Sequence, residues 1–271
     1  AVHNNEANFY GRRGIFPNLG FDTFTSAEYM AEENDKNPLG WTKDEVLTDE
    51  IIKCLDSTEG PDYVYTISTQ GHGAYPEEQL IDDPEITVTG AATEAQNNQW
   101  EYYCNEIHEM DNFVKELTDA LADYPEDVIL VMYGDHLPTM GLTVEDLKNK
   151  YLFQTEYVIW DNFGMEKKKV NLSAYQMAAE VMDRAGIHEG TIFRYHQARR
   201  NTRNYQVDLE TLQYDLLYGE KYAYKDKELT FERTKMRMGI YDVSLDSMDL
   251  ISDIDFTYRL KGTNFTPSSQ V

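Results

Sequence analysis

Two rhythms of apolar residues alternate along this chain. Tyr63 to Ser68 is a β-rich apolar run ending at Thr69-Gln70-Gly71-His72, which predicts a buried strand opening into a loop. From Thr93 to Ala122, Tyr103, Ile107, Met110, Val114, Leu117 and Leu121 recur at spacings of four and three, which predicts a long amphipathic helix. Asp123-Tyr124-Pro125 stops it, because the residue before a proline is pushed out of helical φ/ψ. Val128 to Tyr133 is a continuous apolar run with β-branched residues, predicting a central strand that feeds Gly134-Asp135-His136-Leu137-Pro138. Tyr157-Val158-Ile159-Trp160 predicts a further short strand. Ser173 caps a helix whose Tyr175, Ala178, Met182 and Ala185 share one face and which Gly186 ends.

This alternation, with no fixed-period repeat and no low-complexity tract, argues against solenoids and propellers. It predicts an α/β sandwich, at least part of its sheet parallel, in which ligands bind beyond the carboxyl ends of the strands. His72 and Asp135-His136 both fall there. Past Lys225 the texture changes to the β-prone segments Arg237 to Leu245 and Asp255 to Leu260. The expected division is an α/β domain over 1–224 and a β-rich segment over 225–271. Lys261-Gly262-Thr263-Asn264-Phe265-Thr266-Pro267 resembles the Gly-x-Asn-Phe-(Ser/Thr) turn of immunoglobulin-like modules, so the second segment reads as the start of one.

Composition narrows the partners. At 271 residues, 41% hydrophobic and 13% aromatic, the chain has enough apolar surface to fold. Its 49 acidic against 24 basic residues give a net charge of −25, a field that repels nucleic acid and anionic lipid. A phosphate or sulfate ester can bind only where local cations and a metal override that field. Cys54 and Cys104 have no CxxC spacing and read as buried apolar fillers. No apolar run approaches the ~20 residues that span a bilayer, so the piece is expected to be soluble, while processing can have removed anchoring segments of a longer parent.

Asp135 and His136 offer a carboxylate oxygen and an imidazole nitrogen at a strand end, a pair suited to Mn²⁺, Mg²⁺ or Zn²⁺. Taken alone, Gly-Asp-His is more often a turn with a packed histidine. His108, His188 and His196 read as solvated surface residues, and Arg199, Arg200 and Arg203 as a salt-bridged loop in preference to a site for an anionic glycan.

The surrounding blocks change those odds. Tyr133-Gly134-Asp135-His136 after its apolar run resembles the alkaline-phosphatase superfamily, in the sulfatase branch that contains lipoteichoic acid synthases and phosphoglycerol transferases. His3-Asn4-Asn5 through Phe9-Tyr10-Gly11-Arg12 and then Gly20-Phe21-Asp22-Thr23-Phe24 is similar to that branch's His-Gly-Asp, Phe-Trp-Asn-Arg and Gly-Tyr-Asp-Lys-Phe run. Thr66 to His72 with Tyr75-Pro76 is similar to its strand ending in Asn-His-(Tyr/Phe)-Pro, with Gly73-Ala74 inserted. Arg184-Ala185-Gly186-Ile187 is similar to its helix ending in Leu-Ala-Gly-Ile. Coverage runs from the first residues to about Ile187.

The resemblance implies an alkaline-phosphatase-like sandwich, truncated on its N-terminal side. It implies Asp135 and His136 as metal ligands, with His3, Tyr10, Arg12 and His72 lining a pocket for a phosphate or sulfate ester. Arg12 supplies a planar donor fork, and the histidines can donate a hydrogen bond or protonate a leaving oxygen near neutral pH. Tyr10 stands where the family has Trp, and Asn5 where it has Asp. One divalent metal is expected, Mn²⁺ first and Mg²⁺, Ca²⁺ or Zn²⁺ as alternatives, held weakly or not at all by this chain alone. The nucleophilic threonine and an acidic ligand are expected upstream of residue 1, in a membrane-anchored bacterial parent of Gram-positive type acting on cell-envelope glycans or lipids at the extracellular face. The rival expectation is a non-catalytic surface module that binds anionic glycans or lipid head groups.

Overall fold

The computed structural model describes residues 1–30, 34–224 and 231–266. In chain order the elements are β1 (Val2–His3), α1 (Arg12–Ile15), β2 (Thr23–Ser26), α2 (Val46–Leu55), β3 (Thr66–Ile67) and α3 (Glu94–Ala122). There follow β4 (Ile129–Tyr133), β5 (Tyr157–Asp161), α4 (Met177–Arg184), α5 (Thr191–Arg199) and α6 (Tyr205–Leu217). The last elements are β6 (Arg237–Met238), β7 (Ser244–Ser252) and β8 (Thr257–Thr263). They divide between two compact units, one of 1–120, 138–150 and 232–271, the other of 121–137 and 151–231.

In the first unit β3, β1, β2 and β6 form, in that order, a parallel sheet with helices beside it, the mixed α/β architecture expected. Phe24 on β2 is fully buried and packs edge-on to Phe16 with ring centroids 4.8 Å apart. Ala1, Ala7, Phe21, Tyr65, Ile67, Met236 and Met238 complete that core. Leu47, Ile51 and Cys54 recur at helical spacing and are the buried stripe of α2. Burial pushes the Cys54 thiol up to about 11, as an inert filler requires, whereas Cys104 is only half-buried. The predicted strand over 63–68 shortens to Thr66–Ile67. The β7–β8 pair is an antiparallel hairpin. The boundary expected at residue 225 and Pro267 of the closing turn lie outside the described residues.

The long helix forms as α3, stopped before Pro125. Its N-terminal half straps an extended segment to itself: Asn105 bonds both the N–H and the carbonyl of Ile86, at 3.0 and 2.8 Å. Glu101 accepts from Val88 N–H at 3.1 Å.

In the second unit β4 is not the central strand expected but one of a two-stranded sheet. It pairs antiparallel with β5, from Ile129 opposite Asp161 to Tyr133 opposite Tyr157. A short apolar run is compatible with either direction, and its partner decides which. The N–H of Ser173 donates to Gln176 Oε1 at 3.0 Å, half of a capping box ahead of α4. Helices α5 and α6 carry no periodic signal, because α6 leaves Val207, Tyr214 and Leu217 exposed. His196 is buried, its Nδ1 2.7 Å from the Tyr205 hydroxyl, contrary to the surface reading. Two arginines of the expected cluster are salt-bridged: Arg200 pairs with buried Glu180, which Arg184 also reaches, and Arg199 pairs with Asp208 at 3.3 Å.

Candidate functional site

His3 ends the inner strand β1, paired with Ser26 on one side and Ile67 on the other, and is fully buried. Its Nδ1 lies 2.9 Å from the Ile67 carbonyl oxygen. A carbonyl only accepts, so Nδ1 carries the proton and Nε2 offers a lone pair. Arg12 Nη1 donates to that Nε2 at 2.9 Å. Burial, helped by the Arg12 charge, holds His3 down to about 4, so the ring is neutral at pH 7. In this arrangement both ring nitrogens of His3 are engaged, one by the Ile67 carbonyl and the other by Arg12.

Arg12 opens α1, behind a turn in which Tyr10 takes the left-handed conformation with φ 53° and Gly11 follows at φ 71°. That turn sets the guanidinium 5.4 Å from the centroid of the Phe9 ring and 5.3 Å from that of Tyr10. The two rings meet edge to face at 4.7 Å, and Tyr10 is 71% exposed. Arg12 Nη1 also donates to the Phe9 carbonyl at 3.3 Å. An aromatic-backed cation at the carboxyl end of a parallel sheet can receive a tetrahedral oxyanion.

His72, five residues past β3, is exposed, with Nδ1 bonded to the Gly73 carbonyl and its ring 5.7 Å from that of Trp41. Asn5 spends its Oδ1 on the N–H of Glu6 at 2.7 Å. The structure thus brings His3, Tyr10 and Arg12 together, with His72 at the end of the adjoining strand.

Asp135 and His136 belong to the second unit, just past β4, and both are exposed. His136 Nε2 lies 3.7 Å from Asp135 Oδ1. His136 Nδ1 is 2.8 Å from the Leu137 carbonyl, a backbone tie of the kind that would turn Nε2 toward a ligand. The pair fits two adjacent positions of a metal's coordination shell. Among the described residues, however, no three His, Cys, Asp or Glu side chains gather as a metal-binding group.

Sequence reasoning missed a buried polar network behind the strand ends. Asn4, Asp44, Thr69, Gln70 and Glu106 are all at most 5% exposed. Asn37 Nδ2 donates to Glu106 Oε2 and to the Tyr102 hydroxyl, each at 3.2 Å. Gln70 Nε2 donates to Glu109, which also takes Lys43 Nζ at 3.0 Å. Burial pushes Glu106 up to about 7. The available signal was polar residues clustered just after predicted strands, at Asn4 and Thr69-Gln70.

Residues 1–187 match the family model Sulfatase. A curated relative, a putative cyclic beta-1,2-glucan modification protein of Rhizobium meliloti, is 26% identical over 82% of this chain. The match spans only 41% of that relative's length. Among solved structures, the Streptococcus pyogenes phosphoglycerol transferase GacH in complex with sn-glycerol-1-phosphate superposes with a TM-score of 0.67 at 22% identity. That match covers 86% of this chain and 64% of GacH. The fold is thus that of an alkaline-phosphatase-like phosphoglycerol transferase, and the chain belongs to the sulfatase family.

Proposed function

We propose that this chain is the substrate-facing part of a metal-dependent enzyme that hydrolyses or transfers phosphate or sulfate esters of cell-envelope glycans or lipids. The observation that carries the reading is the Arg12–His3 bond of 2.9 Å at the end of β1. A guanidinium has five N–H donors, and holding one edge on a neutral imidazole leaves a pre-oriented fork for two oxygens of a tetrahedral anion. Tyr10 and Phe9 support the cation from behind, and His72 Nε2 is the ring nitrogen left to meet the ester. GacH's complex with sn-glycerol-1-phosphate supports an ester of this kind.

Asp135 and His136 are proposed as two ligands of a divalent cation, Mn²⁺ first, with the remaining ligands and the attacking threonine supplied by residues outside 1–271. A divalent cation supplies Lewis-acid stabilisation of developing negative charge. The chain alone is then inactive. We place the parent at the outer face of the cell membrane.

The test is full-length protein with Asp135→Ala and, separately, Arg12→Ala, assayed for bound metal and for turnover of phosphoglycerol and sulfate esters. The reading expects Asp135→Ala to lose metal and turnover, and Arg12→Ala to keep metal and lose turnover. Unchanged metal content and turnover in Asp135→Ala would refute it. Wild-type full-length protein that binds phosphate and sulfate but turns over neither class of ester would favour the binding module instead.

A further inference from the structure

One buried carboxylate ties together the segment after His3 and the segment leading to His72. Asp44, two residues before α2, is fully buried. Its Oδ1 accepts from Asn4 Nδ2 at 2.7 Å, from Thr69 N–H at 3.1 Å and from Gln70 N–H at 3.3 Å. Its own N–H donates to Gln70 Oε1 at 2.9 Å, and Thr69 Oγ1 donates to Asn4 Oδ1 at 2.9 Å. These bonds close a ring through three chain segments that are 25 to 65 residues apart in sequence.

The need for such a tie follows from strand length. β1 and β3 pair over two positions only, Val2 with Thr66 and His3 with Ile67. Beyond Ile67 the ladder no longer sets where the chain goes, and buried peptide N–H groups there must find an acceptor. A carboxylate meets that need with charge-assisted bonds. The same turn reaches His72 a second way: Asn37 Oδ1 accepts from the N–H of Leu39 at 3.1 Å and of Trp41 at 2.9 Å, presenting Trp41 beside the His72 ring.

We infer that Asp44 is a positioning residue that holds the Asn4 and Thr69–Gln70 segments to each other, and so spaces the His3–Arg12 pair from His72. That spacing matters to the anion pocket, and to this extent the inference rests on the proposed function. All three donors converge on Oδ1, and Oδ2 has no partner among the described residues, so an amide keeps what the ring uses.

The test compares Asp44→Ala and Asp44→Asn in the full-length protein. Backbone hydrogen exchange is followed at residues 4–6, 69–73 and across β4–β5, alongside titration with inorganic phosphate and sulfate. Asp44→Ala is expected to speed exchange in both tied segments, leave β4–β5 unchanged and weaken anion binding by about tenfold or more. Asp44→Asn is expected to keep both segments near wild-type protection and anion affinity within about threefold. Loosening of one segment only, full protection in Asp44→Ala, or an Asn variant as loose as the Ala variant overturns the inference. Should Asp44→Ala not fold, Asn4→Ala removes the Asp44 bond to the first segment alone; residues 4–6 should exchange faster while 69–73, still held by Asp44, keep their protection, and an unchanged pattern at 4–6 overturns the inference. A wild-type protein that binds neither anion, with the exchange pattern as expected, sinks the pocket reading and leaves the positioning role of Asp44 standing.

Discussion

Two hydrogen bonds decide what His3 can do. With Nδ1 on the Ile67 carbonyl and Nε2 on Arg12, the ring has no free position for proton transfer, and its value lies in aiming the guanidinium. Replacing Arg12 by Lys keeps the charge but removes the planar fork that sits between the Phe9 and Tyr10 rings. Arg12→Lys is therefore expected to weaken phosphate binding by roughly tenfold to a hundredfold with little change in melting temperature. Isothermal titration with inorganic phosphate beside a thermal melt checks this; equal affinity would remove the fork from the argument. Arg12 was legible in the sequence because it sits in a contiguous block with Phe9 and Tyr10. His3's neutral state was not, because it depends on burial that only the fold supplies, and its tautomer depends on Ile67, 64 residues away.

At the scale of elements, the long helix, its stop before Pro125 and the Ser173 start were readable, since each rests on residues within a few positions of one another. The partner and direction of β4 were not, because the apolar run of 128–133 says only that it is covered. Nor was the partner of β6, which falls in the β-prone segment read from Arg237 but joins the sheet beside β2 from more than two hundred positions away. Gly262 marks the tightest point of the β7–β8 hairpin. It pairs with Leu245 next to a register shift, and a Cβ there would stand 1.9 Å from the Ser244 carbonyl oxygen. The obstacle is backbone, so the strands must part. Gly262→Ala is expected to cost about 1–3 kcal/mol of local stability, read as faster amide exchange across Ser244–Thr263 with β4–β5 unaffected. Wild-type protection throughout the hairpin would show that the strands absorb the methyl group.

For the whole molecule, two buried groups titrate in opposite senses. His3 is held down to about 4, so the unfolded chain binds more protons between about 4 and 6.5 and stability falls as pH drops through that window. Glu106 is pushed up to about 7, so the folded chain binds more protons between about 4.5 and 7 and stability falls as pH rises through it. Where the windows overlap the two slopes offset each other. Glu106→Gln removes the second slope, and the variant is expected to gain stability more steeply with rising pH than the wild type between about 4.5 and 6.5. Urea midpoints at the two ends of that range measure the difference, and identical slopes would contradict the burial account of Glu106.

The sequence by itself determined the alternation of strands and helices, the acidic surface and the blocks that mark the sulfatase family, because these are written in local periodicity, composition and contiguous motifs. Tertiary structure decided the direction of β4, the burial of His196, the neutral state of His3 and the ring of bonds around Asp44. Each of these depends on groups that meet across tens of residues, where burial removes water and leaves each donor and acceptor to be satisfied by whichever neighbour the fold supplies.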